Sequence, residues 1–282
     1  MSTQKFRPEI WSPVLLVALR KALVYSVFTN RDYEGEIAEA GDTVRITSIG
    51  RPTIQTYVPN STVITPEQVN DSQRTLVVDQ SKYFAFAVDD VDARQAAGNV
   101  ITQAMDEAAF GMADVVDQFI ASFYTSIQSA NQLGSIGVNS ATTPTDAYDK
   151  VLVPLKVKLD KANVATQGRS VVITPDLHGC LLRDARFVKV NESGTEQGLR
   201  DGLVGRAAGF DILLSNNAPN TTGSEFAVIA GSDRAITFAS QISKTEAYRP
   251  QSSFSDAIKG LALYGAKNVR PDSLASALVT VS

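Results

Sequence analysis

The stretch DARQAAGNVITQAMDEAAFGMADVVDQFIASFYTSIQSA, residues Asp92–Ala130, decides how the chain is read. Ile101, Met105, Ala108, Met112, Val115, Val116, Phe119, Ile120, Phe123 and Ile127 recur in steps of mostly three and four. That spacing predicts one apolar face of a helix. Asp89, Asp90 and Asp92 precede it, where a helix dipole favours negative charge. Ser129–Asn131 and then Gly134 end the pattern. At about 1.5 Å per residue such a helix would run for roughly 55 Å, longer than most globular domains need. Gly98 and Gly111 each weaken it by about 1 kcal/mol relative to Ala. The expectation is a spine from which the rest of the chain hangs.

The whole chain bounds the reading. Its 282 residues allow one large domain or two small ones. A hydrophobic content of 44% with 20% charge is ordinary for a soluble, packed protein. Net charge is −4 and no run of Lys or Arg stands out, so a tight electrostatic grip on nucleic acid is not expected. No apolar stretch approaches the roughly 20 residues of a membrane span. The start shows no basic region followed by an apolar run, so no secretion signal is expected. Cys180 is the one cysteine, which excludes internal disulfides and fits a reducing cytoplasm. His178 is the one histidine, so a His-rich metal site is impossible. No repeat of fixed period is visible.

Outward from the helix, residues 1–9 read as an arm. Ser12 is a plausible N-cap and Pro13 suits the first helical position. Trp11, Leu15, Ala18 or Leu19, and Ala22 follow at helical spacing, widened by Leu16 and Leu23. This stripe packs either on its own core or on a neighbouring subunit; spacing leaves both open. Asn30–Gly35 and Ala40–Asp42 read as turns. Thr43–Thr47 alternates as a half-buried strand, with strand character again at Thr53–Tyr57. A polar region, Val58–Ser72, precedes the returning strand Arg74–Val78, continued by Tyr83–Val88 with Phe84, Phe86 and Val88 on one face. Residues 42–88 together predict a long two-stranded excursion. A lone hairpin is marginally stable in water, so one this long needs a partner surface.

After the helix, 131–144 reads as a loop. Asp146–Ala162 predicts a second helix, lined by Tyr148, Leu152, Leu155, Leu159 and Ala162, with a kink or break at Pro154. Arg169–Ile173 predicts a buried strand, and Thr174-Pro175 caps a helix over Asp176–Asp184. Residues 189–201 read as a polar loop. Strands follow at Ile212–Leu214, Phe226–Ala230 and Ala235–Ala239, then a last segment, Ile258–Ala266, and a short apolar tail. The class is α+β.

No constellation supports catalysis. The spacing of Gly202, Gly205 and Gly209 superficially suggests a phosphate-binding loop. It lacks the Gly-Lys-Ser/Thr ending and precedes a strand, so these read as conformational glycines. His178 and Cys180 lie two apart on one short helix and project about 200° apart, which disfavours a Cys/His pair or a zinc set within it. Asp89 and Asp90 read as helix-start acids rather than metal ligands. Ser215 lacks a Gly-x-Ser-x-Gly elbow. The chain is not expected to be an enzyme, and no cofactor or metal is expected.

The order of parts resembles a major capsid protein of a tailed double-stranded DNA bacteriophage with the Hong Kong 97-like fold. The local matches are Phe6–Ser12 (FRPEIWS), Asn30–Glu34 (NRDYE), Gly202–Pro219 (GLVGRAAGFDILLSNNAP) and Tyr264–Pro271 (YGAKNVRP). The resemblance implies an N-terminal arm at 1–30 and a strand with an extended hairpin (E-loop, about 42–88) at 31–90. It implies the spine helix of a peripheral domain at 91–144, an axial domain near the capsomer centre at 145–240, and a return to the peripheral domain at 241–282. It implies self-assembly into hexamers and pentamers of an icosahedral shell that encloses DNA without binding it specifically. Scaffolding, portal and decoration proteins are the other partners implied; the location is the virion capsid, assembled in the host bacterial cytoplasm. Assembly contacts are expected at Trp11, Tyr57, Val63, Ile64 and Glu67, and around the charged loop of Glu192, Glu196, Arg200, Asp201 and Arg206. In the family's cross-linked member a hairpin lysine bonds to an asparagine of another subunit. Here Gly50–Gln73 holds no lysine and Lys82 is the nearest after it, so non-covalent contacts are expected. The alternatives are an encapsulin-type shell housing an enzyme cargo and an unrelated α+β enzyme.

Overall fold

The computed structural model describes residues 24–32, 43–49, 53–54, 56, 59, 71–89, 100–184, 205–250 and 255–282. In chain order these contain β1 (Thr29–Asn30), β2 (Thr43–Ile49), β3 (Asp71–Val77), β4 (Gln80–Asp89), α1 (Val100–Ala121) and β5 (Gln132–Val138). Next come α2 (Val153–Lys161), β6 (Arg169–Ile173), α3 (Pro175–Arg183), β7 (Arg206–Ala207), β8 (Phe210–Leu214) and β9 (Glu225–Ser232). The last are β10 (Ile236–Tyr248), β11 (Ser255–Asn268) and β12 (Leu274–Val281).

The described strands form three sheets. One has the order β1-β10-β11-β4, one β5-β12-β9-β6-β8-β7, and the third is the pair β2-β3 alone. β6 is buried at every position, as a continuous apolar run predicts. Val171 and Ile173 face α2 and α3, where Leu155, Leu159, Leu177 and Cys180 complete a core. Val172 faces the other way, into a second core with Ile229, Leu274, Tyr25, Phe28 and the end of α1. Burying each large apolar side chain contributes about 1.5–3 kcal/mol.

α1 lies across the four-stranded sheet. Met105 and Ala109 pack on Ile258. Met112 and Ala113 pack on Ala262, and Val116, Ile120 and Ala121 reach the second core. The described part of α1 spans 22 residues, about 33 Å, and ends at Ala121 rather than near Ala130. A 3-10 run, Ser122–Ser126, replaces its expected end. The hydroxyls of Ser122, Thr125 and Ser126 donate to carbonyls three residues back, which competes with the α-helical ladder. Asp89 ends β4 instead of starting the helix; Asp90, Asp92 and Gly98 lie outside the described residues.

Other expectations need correction. The expected loop 131–144 contains β5, whose Gly134 and Gly137 blunt the strand signal. The apolar tail is β12, between β5 and β9 in the sheet. Thr53, Ile54 and Thr56 carry no strand. β4 does not extend the hairpin: it pairs antiparallel with β11, from Gln80↔Tyr264 to Asp89↔Ser255. β10 runs well past Ala239, through polar residues to Tyr248. The break at Pro154 is present: a π-helical turn, Ala147–Leu152, leads into α2 with the proline in its first turn. Thr174 caps α3, its side chain accepting from the Leu177 N–H at 3.4 Å.

Candidate assembly site

The β2-β3 ladder runs from Thr43↔Val77 at its base to Ile49↔Asp71. Its base is held by a small cluster: Ile46, Leu76 and Val78 against Ala239, Leu263 and Val269. Arg74 Nη1 donates to the Asn268 carbonyl at 2.9 Å. Asn268 Nδ2 in turn donates to the Ser126 carbonyl at 3.1 Å and to Ser126 Oγ at 2.9 Å. One asparagine thus links hairpin base, strand β11 and the end of the spine. Gly265 lets the backbones meet. A Cβ there would strike the Val77 carbonyl and come within 2.8 Å of Val78 Cα. Beyond Ile49, Ile54 is 90% exposed. Ile54 stands beyond the end of this two-stranded sheet, which is itself marginally stable without a further partner.

A second junction lies on α1. Asp117 is only 1% exposed, in the middle of an otherwise apolar packing region. Its Oδ1 accepts from the N–H groups of Val24 and Tyr25, both at 2.8 Å. Its Oδ2 accepts from Asn217 Nδ2 at 3.0 Å, which also reaches Asp114 Oδ1 at 2.7 Å. The carboxylate therefore fixes three segments: the chain entering at Val24, the spine, and the turn after β8. Burial, with the Asp117 charge adding to it, pushes the Tyr25 phenol far above its usual range. The Tyr25 hydroxyl has no hydrogen-bond partner among the described residues.

The glycine-bearing segment is a tight hairpin. Ala207 pairs with Phe210, and the two residues between them, Ala208 and Gly209, have φ of 51° and 83°. Two consecutive positive φ values make the primed turn that joins antiparallel strands. Gly209 carries the conformational requirement. At Gly205 an added Cβ would meet nothing within 4 Å. Arg206 Nε lies 3.2 Å from Asp211 Oδ1, an exposed pair within one chain worth about 0–1 kcal/mol. Trp11, Tyr57, Val63, Ile64, Glu67, Glu192, Glu196, Arg200, Asp201 and Gly202 lie outside the described residues.

Chemistry of other kinds finds little support in the described residues. Cys180 is fully buried and its thiol is pushed up by that burial. No group of three or more His, Cys, Asp or Glu among them is placed to hold a metal ion. Ser215 Oγ accepts from the Asn217 N–H at 3.1 Å, a turn contact. No described helix is long and apolar enough to cross a membrane. Sequence reading missed Asp117 and Ile54. The signal for Asp117 was a carboxylate beside Val116, inside a stripe that should have been apolar; Ile54 stood in plain view before a polar stretch.

Comparison with known proteins converges on one family. A solved structure from Mycobacterium phage Che8 is 31% identical, with 90% of each chain covered and a TM-score of 0.72. The capsid structure of the cyanophage P-SCSP1u shares the fold at 16% identity, covering 93% of this chain and 89% of that one, with a TM-score of 0.72. A virus-like particle from Pyrococcus furiosus shares it at 14% identity, covering 96% and 98%, with a TM-score of 0.57. No curated protein matches the chain. The profile of the family described as "Phage capsid protein" matches residues 72–277, and the chain belongs to that family of shell-forming structural proteins.

Proposed function

We propose that the chain is the major subunit of an icosahedral phage shell, assembling with itself into hexamers and pentamers around double-stranded DNA. The observation that carries this is the hairpin: a two-stranded sheet of its own, anchored to the body only at its base among the described residues, with Ile54 90% exposed beyond. The hairpin lies over a neighbour in the same ring, and Tyr57, Val63, Ile64 and Glu67 belong to its contact. Head-to-tail contacts around a ring reuse the same two patches on every copy. Each contact can be weak, because every subunit makes several and multivalency holds the shell. Weak contacts also let wrong associations dissociate before closure.

Charges around Glu196, Arg200, Asp201 and Arg206 tune contacts at the capsomer centre, where exposed pairs contribute little. Apolar burial by the hairpin matters more. The net charge of −4 suits a shell that encloses DNA without gripping it. Lys82 lies on β4, outside the hairpin, which fits contacts that stay non-covalent. Scaffolding, portal and decoration proteins complete the set of partners, and assembly takes place in the host bacterial cytoplasm. Likeness to a virus-like particle keeps a second reading, a cargo-housing shell. Portal and terminase genes beside this one favour the phage reading, and an enzyme cargo gene favours the other. Deleting residues 50–72 should leave a folded subunit that closes no shells in electron micrographs; normal particles would refute the hairpin's role.

A further inference from the structure

The face of the four-stranded sheet turned away from α1 is covered only in part. Tyr83 of β4 stands opposite Leu261 of β11, so the two share a face. Phe84, Ile258 and Ala262 point the other way, towards Met105, Met112 and Ala113 of α1. Two residues along β11 from Leu261, Leu263 is covered by the chain's own hairpin base, Ile46, Leu76 and Val78. Among the described residues the cover ends there: Tyr83 is 79% exposed and Leu261 36%. The charged side chains described beside them are already matched. Lys259 Nζ lies 3.0 Å from Glu246 Oε2 and 5.2 Å from the centroid of the Tyr248 ring.

The chain's own hairpin cannot reach this patch. β3 and β4 pass β11 one after the other: Arg74 meets Asn268, Val77 meets Gly265, Gln80 pairs with Tyr264 and Asp89 with Ser255. The hairpin therefore points away from β4. Asp71, paired with Ile49 at the far end of its ladder, is about 40 Å from Tyr83 at about 3.3 Å per extended residue. The segment from Ile49 to Ile54 spans at most about 18 Å. Ile54 and Tyr83, the two most exposed large apolar side chains described, thus cannot meet within one chain. Charge is compatible with their meeting between chains: Pro52–Pro66 holds no charged residue, and the patch has its described charges paired. In a head-to-tail ring two unlike patches meet on every copy.

We infer that the face around Tyr83 and Leu261 receives Ile54 of the next copy of the chain, beside the receiving chain's own hairpin base. This rests on the shell reading and adds to it the surface on which the hairpin lands.

Disulfide capture between copies tests it. Chains carrying Ile54→Cys are assembled with chains carrying Tyr83→Cys and oxidised with copper phenanthroline, while Cys180 stays buried. A second mixture uses Thr53→Cys in place of Ile54→Cys, which keeps the isoleucine. The expected result is a covalent dimer in the mixtures, released by reductant, with none from any variant assembled alone. Particles in electron micrographs with no dimer in either mixture would overturn the landing surface and leave the shell reading standing. Equal dimer from Ile54→Cys chains alone would also overturn it, by bringing two hairpins together. No particles from the unsubstituted chain would overturn the shell reading, and the inference with it.

Discussion

Leu76→Ala is the sharpest test of how the hairpin is held. Leu76 is fully buried and sits at the centre of the cluster made by Ile46, Val78, Ala239 and Leu263. Truncating a buried leucine to alanine costs about 2–5 kcal/mol through lost transfer energy and the residual cavity. That cluster is separate from the two larger cores under α2, α3 and the end of α1. The loss should therefore fall on local opening of β2 and β3 rather than on the body. At about 1.4 kcal/mol per tenfold, amide exchange there should accelerate roughly 30- to 4000-fold. Hydrogen exchange read by mass spectrometry on dissociated subunits can compare peptides covering 43–49 and 71–77 with those covering 225–232 and 274–281. Acceleration in the first pair alone is expected. Equal acceleration in both pairs would show that hairpin and body open as one unit, and the reasoning would fail.

Asp117→Ala should destabilise the subunit by about 2–6 kcal/mol, because two backbone N–H groups and Asn217 lose their acceptor in a buried site; thermal unfolding measures it, and a change under 1 kcal/mol would show that water substitutes freely. Gly209→Val should lower particle yield through strain at φ 83°, whereas Gly205→Ala should leave it unchanged; the reverse order would contradict the turn assignment. Particles boiled in SDS should release a monomer near the sequence mass of 30.2 kDa; a ladder of covalent oligomers would refute non-covalent assembly.

Where local chemistry decides structure, the sequence was readable. Thr174-Pro175 announces a capped helix start, and the apolar run of β6 announces a strand buried on both faces. The buried face of α1 followed from its spacing at Met105, Met112, Val116 and Ile120, but Val115, expected on it, is 37% exposed, and serine and threonine hydroxyls ended the helix early. Long-range pairing was not readable. β4 looks like the end of a hairpin until β11, about 170 residues later, takes it into another sheet. β5 and β12 are strands because they pair with each other, and neither alternates well enough alone, since glycines interrupt one and both faces of the other are covered. The assembly site divides the same way. A long polar-tipped excursion was visible, but its anchor at Gly265 and Asn268 needs the fold to bring residues far apart in the chain together.

In the proposed shell, the hairpin beyond its anchored base is held by another copy of the chain. Hydrogen exchange over residues 50–70, compared between closed particles and subunits kept apart at high dilution, measures this directly. Protection present in particles and lost in separated subunits is the predicted result. Equal protection in both would contradict it.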